Sequence, residues 1–371
     1  MAPSLRRRWA TGAFALVLTG AGIAFAAWAF RQAPASRPIA EAGPTETVDP
    51  RVTAQVPVGG FPGGLAAGEG SVWVPHQECD GSLVRIDQDT NQVIAEIPTE
   101  IYPSNVAVGF GGVWVEGSVC DEDKEPGRLV RIDPETNEVA ATVALPGHSA
   151  DIASGEGGIW VSVGFGTNAG EPWKGELLRI DPDTNTIDAR VPIEGNPRDV
   201  VVGEGSVWVL TMASRDGGSS SNMFVHRIDP VAERVVGAIP DALSVGVGEG
   251  AVWVSAWIGE WETGLRKVDA STLETIDTIE RDFRAFYGEH NTLGTFPVGE
   301  GGLWFWAFPD RSASSAQGHG RIYRLNSVTL EEDASVAPDP HRDWIDAALD
   351  PETHTLWISH YRDFVTRIDM R

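Results

Sequence analysis

The chain has 371 residues, enough to bury a large core, and carries 53 acidic against 28 basic side chains for a formal net charge of −25. A surface of that sign repels phosphate backbones, which excludes nucleic acid as a partner. Gly-rich fragments such as GFGG and GVGEG sit in repeated turns and do not open helices, so no phosphate-binding loop is expected either.

In chain order, Arg6, Arg7 and Arg8 precede an uncharged run at 9–30. About 22 apolar residues can span a bilayer as a helix. Positive charge before the span holds its start in the cytoplasm and sends the remainder of the chain across. Residues 1–30 are therefore expected to be a signal-anchor transmembrane helix, single-pass in the cell membrane, with the rest outside the cytoplasm. Small residues near 25–29 leave a cleavable signal peptide as the alternative, and the protein would then be secreted. Residues 31–50, rich in Ala, Pro and Glu, read as a flexible linker.

From residue 51 to 371 the chain repeats. GEGSVWV stands at 68–74 and again at 203–209, and near-copies supply Trp73, Trp114, Trp160, Trp208, Trp253, Trp304 and Trp357. The intervals are 41, 46, 48, 45, 51 and 53 residues. A second phrase comes after each Trp, as in LVRIDPETNEVAATV at 129–143. Periods of this size mark stacked supersecondary units. Each unit reads as four short strands, with tight turns at GEG and DPETN. The expectation is an all-β, seven-bladed β-propeller of four-stranded antiparallel blades. The last unit stops at VTRIDMR, short of a fourth strand, while RVTAQVPVG at 51–59 matches fourth strands elsewhere. The N-terminal strand is thus expected to complete the last blade, which would remove open sheet edges.

Cys79 and Cys120 each lie six residues past their blade's Trp. They are expected to form a disulfide between the first two blades, in keeping with an oxidising compartment. DPDTN and DEDKEPG imitate parts of calcium loops but lack the glycine and the terminal glutamate, and read as hairpin turns.

The turns after strands one and three are short and uniform, while the opposite face is built from long, diverse loops, where binding usually resides. Trp173, Trp257, Trp261, Trp306 and Trp344 fall in or beside those loops, as do Tyr287, His290, His360 and Tyr361. They are candidate contacts for a protein, a glycan or a small molecule. Registering the units on their Trp aligns Gly64, Asn105, Asp151, Asp199, Ser244, Thr295 and Asp346 around the mouth of a central channel. Asn105, Asp151, Asp199 and Asp346 make an oxygen-rich set suited to Ca²⁺ or Mg²⁺, against which stands a water-filled channel with polar walls. Arg198, beside Asp199, would neutralise one carboxylate.

GEGxVWV, followed by LxRIDPxTxxV and then P-x-x-V-A-V-G, resembles the YVTN-type and streptogramin (virginiamycin B) lyase-like propellers, over about 52–371. The resemblance implies the fold and an extracytoplasmic location. In the lyase members it further implies a histidine pair, a glutamate and a magnesium ion that open an ester ring by elimination. Their Glu-x-His pattern occurs here only as Glu352-Thr353-His354, in a turn of the last blade; Glu289 and His290 are adjacent, and His319, His341 and His360 lie in variable loops. No catalytic residue is assigned. The leading expectation is a membrane-tethered sensor or scaffold that binds through its variable face. The alternative is a divalent-metal-dependent lyase of the streptogramin type.

Overall fold

The computed structural model describes residues 49–120, 126–165, 173–214, 221–257, 263–280, 296–307, 321–336, 344–360 and 363–370. The expected membrane span at 9–30 and nearly all of the linker lie outside them. Among the described residues no helix is long and apolar enough to cross a membrane.

Strand β1 (Val52–Pro57) comes first. The first blade is β2 (Ala66–Gly68), β3 (Ser71–Pro75), β4 (Ser82–Asp87) and β5 (Gln92–Pro98). The second holds β6 (Tyr102–Gly109), β7 (Gly112–Ser118), β8 (Arg128–Asp133) and β9 (Glu138–Ala144). The third holds β10 (His148–Gly155), β11 (Gly158–Phe165), β12 (Lys174–Asp181) and β13 (Thr186–Glu194). The fourth holds β14 (Asn196–Gly203), β15 (Ser206–Ser214), β16 (Ser221–Asp229) and β17 (Arg234–Pro240). The fifth holds β18 (Ala242–Gly248), β19 (Ala251–Trp257), β20 (Thr263–Val268) and β21 (Thr275–Ile279). The sixth holds β22 (Val298–Gly299), β23 (Gly302–Ala307), β24 (Arg321–Asn326) and β25 (Glu332–Val336). The seventh holds β26 (Trp344–Asp350), β27 (Thr355–His360) and β28 (Phe364–Asp369), with β1 paired antiparallel to β28 as its fourth strand. The molecule is a seven-bladed β-propeller of four-stranded antiparallel blades.

The repeated letters have local causes. In GEG the glutamate and second glycine both take positive φ, 52° at Glu69 and 66° at Gly70. Two such residues in succession make the tight hairpin whose twist suits paired strands. The next strand then carries its Trp inward, 0–3% exposed in every blade. In the first five blades the indole N–H donates to the carbonyl of the glycine five residues before, from Trp73 to Gly68 (3.1 Å) through Trp253 to Gly248 (3.2 Å). The buried donor is therefore satisfied by the turn that introduces it.

The Arg of each RID phrase lies over the same ring. Seven Arg or Lys side chains sit 4.7 to 5.9 Å from the Trp of their own blade. Most then reach the DPETN turn of the next blade. Arg85 donates to the Pro134 carbonyl (2.6 Å) and Asn137 Oδ1 (2.8 Å), and Arg131 to Pro182 (2.7 Å) and Asn185 (3.1 Å). Arg367 of the seventh blade reaches the first, at Gln88 (3.0 Å) and Asn91 (3.0 Å). The sixth blade departs from this rule. Among the described residues no such turn joins β28 to β1 in the seventh blade, since these paired strands are far apart in the sequence. Arg324 bonds instead to Asp333 within its own sheet, and Arg51, held by Asp49, reaches back to the Ser335 carbonyl.

Cys79 and Cys120 are bonded, with Cα atoms 5.5 Å apart, and link the loops of the first and second blades. The disulfide read from the sequence is present.

Candidate functional site

Near the axis the innermost strands share an irregularity. Register slips between Pro103 and Asn105, Ser149 and Asp151, Pro197 and Val200, Ala242 and Ser244, and Trp344 and Asp346. A bulge turns its strand locally and re-aims the side chain there. The polar residues aligned on the repeat thus fall on a recurring backbone feature. Thr295, the sixth member, lies outside the described residues.

These side chains join one blade to the next. Asp346 Oδ2 accepts from Leu65 N (3.0 Å) and Asp151 Oδ2 from Val200 N (2.8 Å), while Asn105 Nδ2 donates to the Ala150 carbonyl (3.1 Å). Gly64 marks the closest approach: a Cβ there would stand 2.4 Å from Asn105 Oδ1 and 3.2 Å from Asp346 Oδ2.

One member of the cluster leaves no trace in the repeat register. Glu116, on β7, is 1% exposed, and Oε1 accepts from Asn105 Nδ2 (2.9 Å). It stands two residues past Trp114, where the other blades carry Pro75, Ser162, Leu210, Ser255, Trp306 and Ser359. A carboxylate at a position that is uncharged in every other blade was the available signal. Glu116 Oε2 and Asp199 Oδ2 are shut off from solvent without a hydrogen bond among the described residues.

Crowding and desolvation push these carboxyls toward the protonated form. Burial raises Glu116. Burial and the neighbouring Asp199 charge drive Asp151 well above the usual range. Asp199 is pushed up to about 7 by burial, against the pull of Arg198, and Asp346 up to about 6 by burial. Among the described residues, no three His, Cys, Asp or Glu side chains come together in an arrangement that could hold a metal ion. The side chains of this cluster join neighbouring blades by hydrogen bonds.

Beside this cluster, on the loop face between the third and fourth blades, opens a cleft of about 390 Å³. Strand β10 contributes His148, Ser149 and Ala150, and β11 contributes Gly164 and Phe165. Trp173 comes from the residue before β12, and Asn196, Pro197 and Arg198 from the start of β14. Phe165 and Trp173 are half-buried, while His148 and Arg198 are exposed. Arg198 is one residue from Asp199 and His148 three from Asp151, so the cleft and the buried carboxyls share two strands. His148 and Phe165 carry no repeat signature and were missed; Trp173 was expected.

The remaining expected contacts fall elsewhere. His360 is 4% exposed, with Nε2 2.9 Å from Thr366 Oγ1 and its ring stacked on Phe364 at 4.3 Å. It is packed largely inside its blade. Trp257, Trp306 and Trp344 lie at strand ends, but their side chains are outside the described residues, as are Trp261, Tyr287, His290 and Tyr361 altogether. His354 of the Glu-x-His phrase pairs through Nδ1 with Glu300 Oε2 (2.8 Å), across the sixth and seventh blades on the turn face.

Fold and cleft together define a β-propeller with a cleft on its loop face. No family model and no curated protein matches the chain. Among solved structures it is similar to Kuenenia stuttgartiensis hydrazine synthase, at 14% identity and a TM-score of 0.59, over 88% of this chain and 98% of that one. In all, 1240 solved chains match. A likeness so widely shared and so low in identity shows the fold alone.

Proposed function

We propose that this protein is a membrane-tethered, extracytoplasmic β-propeller that binds a ligand through its loop face and acts as a sensor or scaffold. Its seven blades form a ring completed by the N-terminal strand, in the manner of the YVTN-type and streptogramin lyase-like propellers it resembles in motif. The observation that carries the reading is the cleft between the third and fourth blades, where two aromatic side chains meet exposed Arg198 and His148. Concave sites with a few polar groups on an apolar wall are where small ligands bind. The Cys79–Cys120 bond supports an oxidising location.

Two measurements test this. Protease added to intact cells digests the propeller if it lies outside, and spares it if it lies inside. Ligand-observed NMR of the full chain in detergent, screened with small ring compounds, gives binders that Trp173→Ala abolishes. A screen with no binder, or with binders indifferent to Trp173, overturns the cleft as the site.

The lyase alternative finds no favouring observation among the described residues. Its Glu-x-His residues stand in a turn, where Glu352 N donates to Asp350 and His354 is engaged by Glu300.

A further inference from the structure

The cleft's charge is unusual for its setting. The chain carries 53 carboxylate side chains, yet among the described residues none lines the cleft. Arg198 is exposed there, and its guanidinium has neither ion pair nor hydrogen bond among the described residues. Several other arginines of the fold are engaged: Arg179 by Asp188 and Glu233, Arg85 by the Pro134 and Asn137 turn, Arg51 by Asp49. An unengaged guanidinium presents a planar fork of N–H donors that matches a carboxylate or a phosphate. Beside it stand the half-buried rings of Phe165 and Trp173, and His148 can donate from the opposite strand. Asn196, packed so closely over Gly164 that a Cβ there would lie 2.7 Å from its Oδ1, adds an amide at the floor.

We infer that the cleft between the third and fourth blades binds a small organic anion bearing a flat ring, with its carboxylate or phosphate on Arg198 and its ring against Phe165 and Trp173. The inference rests on the reading of this cleft as the binding site and adds the chemical class of ligand. The chain's overall negative field does not forbid it, because charges beyond about 8 Å are largely screened at physiological salt, whereas a direct guanidinium contact is not.

Asp199 supplies a second handle on the same event. Its carboxyl is pushed up to about 7, and Arg198 is the charge that favours its ionised form. An anion seated on Arg198 offsets that favour, so Asp199 takes up a proton as the ligand binds. The other charge acting on it is Asp346, which raises its affinity for protons, while Asp199 in turn raises that of Asp151, beside Glu116. His148 faces the ligand from β10.

The test is isothermal titration of the full chain in detergent with benzoate, phenyl phosphate, benzyl alcohol, benzylammonium and inorganic phosphate. A ring-bearing anion is expected to bind about tenfold or more tighter than benzyl alcohol, the scale of a charge-assisted hydrogen bond. Benzoate above phenyl phosphate identifies a carboxylate ligand, and the reverse a phosphate. Arg198→Gln removes the preference for anions while leaving benzyl alcohol binding in place, and Trp173→Leu weakens every ring compound but not inorganic phosphate. Thermal melts of both variants verify that they fold. Repeating the titration near pH 7 in buffers of different ionisation heat shows proton uptake, absent in Asp199→Asn. Equal binding of benzyl alcohol and benzoate, or an unchanged preference in Arg198→Gln, overturns the anion assignment while the cleft remains a site. Failure of every probe overturns the cleft itself.

Discussion

Arg367 lies 5.6 Å from the centre of the Trp357 ring and donates to the carbonyl of Gln88, 279 positions earlier in the chain, at 3.0 Å. One side chain thus packs the core of the seventh blade and ties that blade to the first. Replacing it by Met keeps some apolar cover but removes the bonds to Gln88 and Asn91. Arg367→Met is expected to destabilise the protein by about 2 kcal/mol, the scale of a charged hydrogen bond plus a ring contact. Arg324→Met, which severs no bond to the next blade, is expected to lose less. Urea melts of the two variants side by side check the order, and equal losses would refute the stapling role.

Asn137 separates conformation from bonding in the same device. It sits at φ 58° and accepts from Arg85 at 2.8 Å. Asn137→Gly keeps the backbone unstrained and loses only the bond; Asn137→Ala loses both. The alanine variant is expected to melt lower than the glycine variant by the equivalent of about 1 kcal/mol. Calorimetry on the pair decides it.

The axial carboxyls predict an inverted pH response. Asp346, pushed up to about 6, and Asp199, pushed up to about 7, hold protons in the fold that an unfolded chain with ordinary values near 3.9 gives up. Their contribution to stability is fully present below about pH 4 and is lost as pH rises through about 6 and then 7. Asp199→Asn is expected to change little at pH 4 and to raise stability by about 1–3 kcal/mol at pH 8. Melts across that range test the sign; a variant less stable at pH 8 would show that the ionised carboxyl is held by something favourable.

The acid limit comes from different residues. Asp87, Asp181, Asp229 and Asp269 accept hydrogen bonds from their own turns, which hold their carboxyls low, Asp269 at about 2. Their contribution is present above about pH 4 and is lost as pH falls toward 2. Stability of the wild-type chain is therefore expected to peak where these two windows meet, at about pH 4, and a pH series of melts locates the maximum.

Opening the Cys79–Cys120 bond frees a loop of sequence separation 41. In the chain-entropy model the loss is about 4 kcal/mol. The double Cys→Ser variant is expected to remain folded but to melt several degrees lower, with no further change on adding reductant.

The fold was legible because every blade must solve the same problem. In most blades the Trp wedge finds a partner for its N–H in the turn before it, and the Arg or Lys over that Trp finds an acceptor in the turn of the next blade. These demands recur every 41 to 53 residues and leave letters behind. The axial residues Asp151, Asp199 and Asp346 were legible for the same reason, since they occupy one register. Glu116 was not, because a single carboxylate in an apolar strand has no counterpart to align with. The cleft was legible only at Trp173. His148, Phe165 and Arg198 belong to three different strands and meet through the packing of two blades, a relation that no local pattern records.

The Arg51 carbonyl accepts from Asp369 N at 2.8 Å, so the strands that begin and end the propeller lie side by side. A short peptide could join them as one more hairpin, and the circle could then be cut at an exposed turn that accepts no bond from a neighbouring blade. Circular permutants made this way should fold to the same melting profile. In such a molecule the order in which blades leave the ribosome becomes a free variable, and the cleft between the third and fourth could be built first or last without altering its walls.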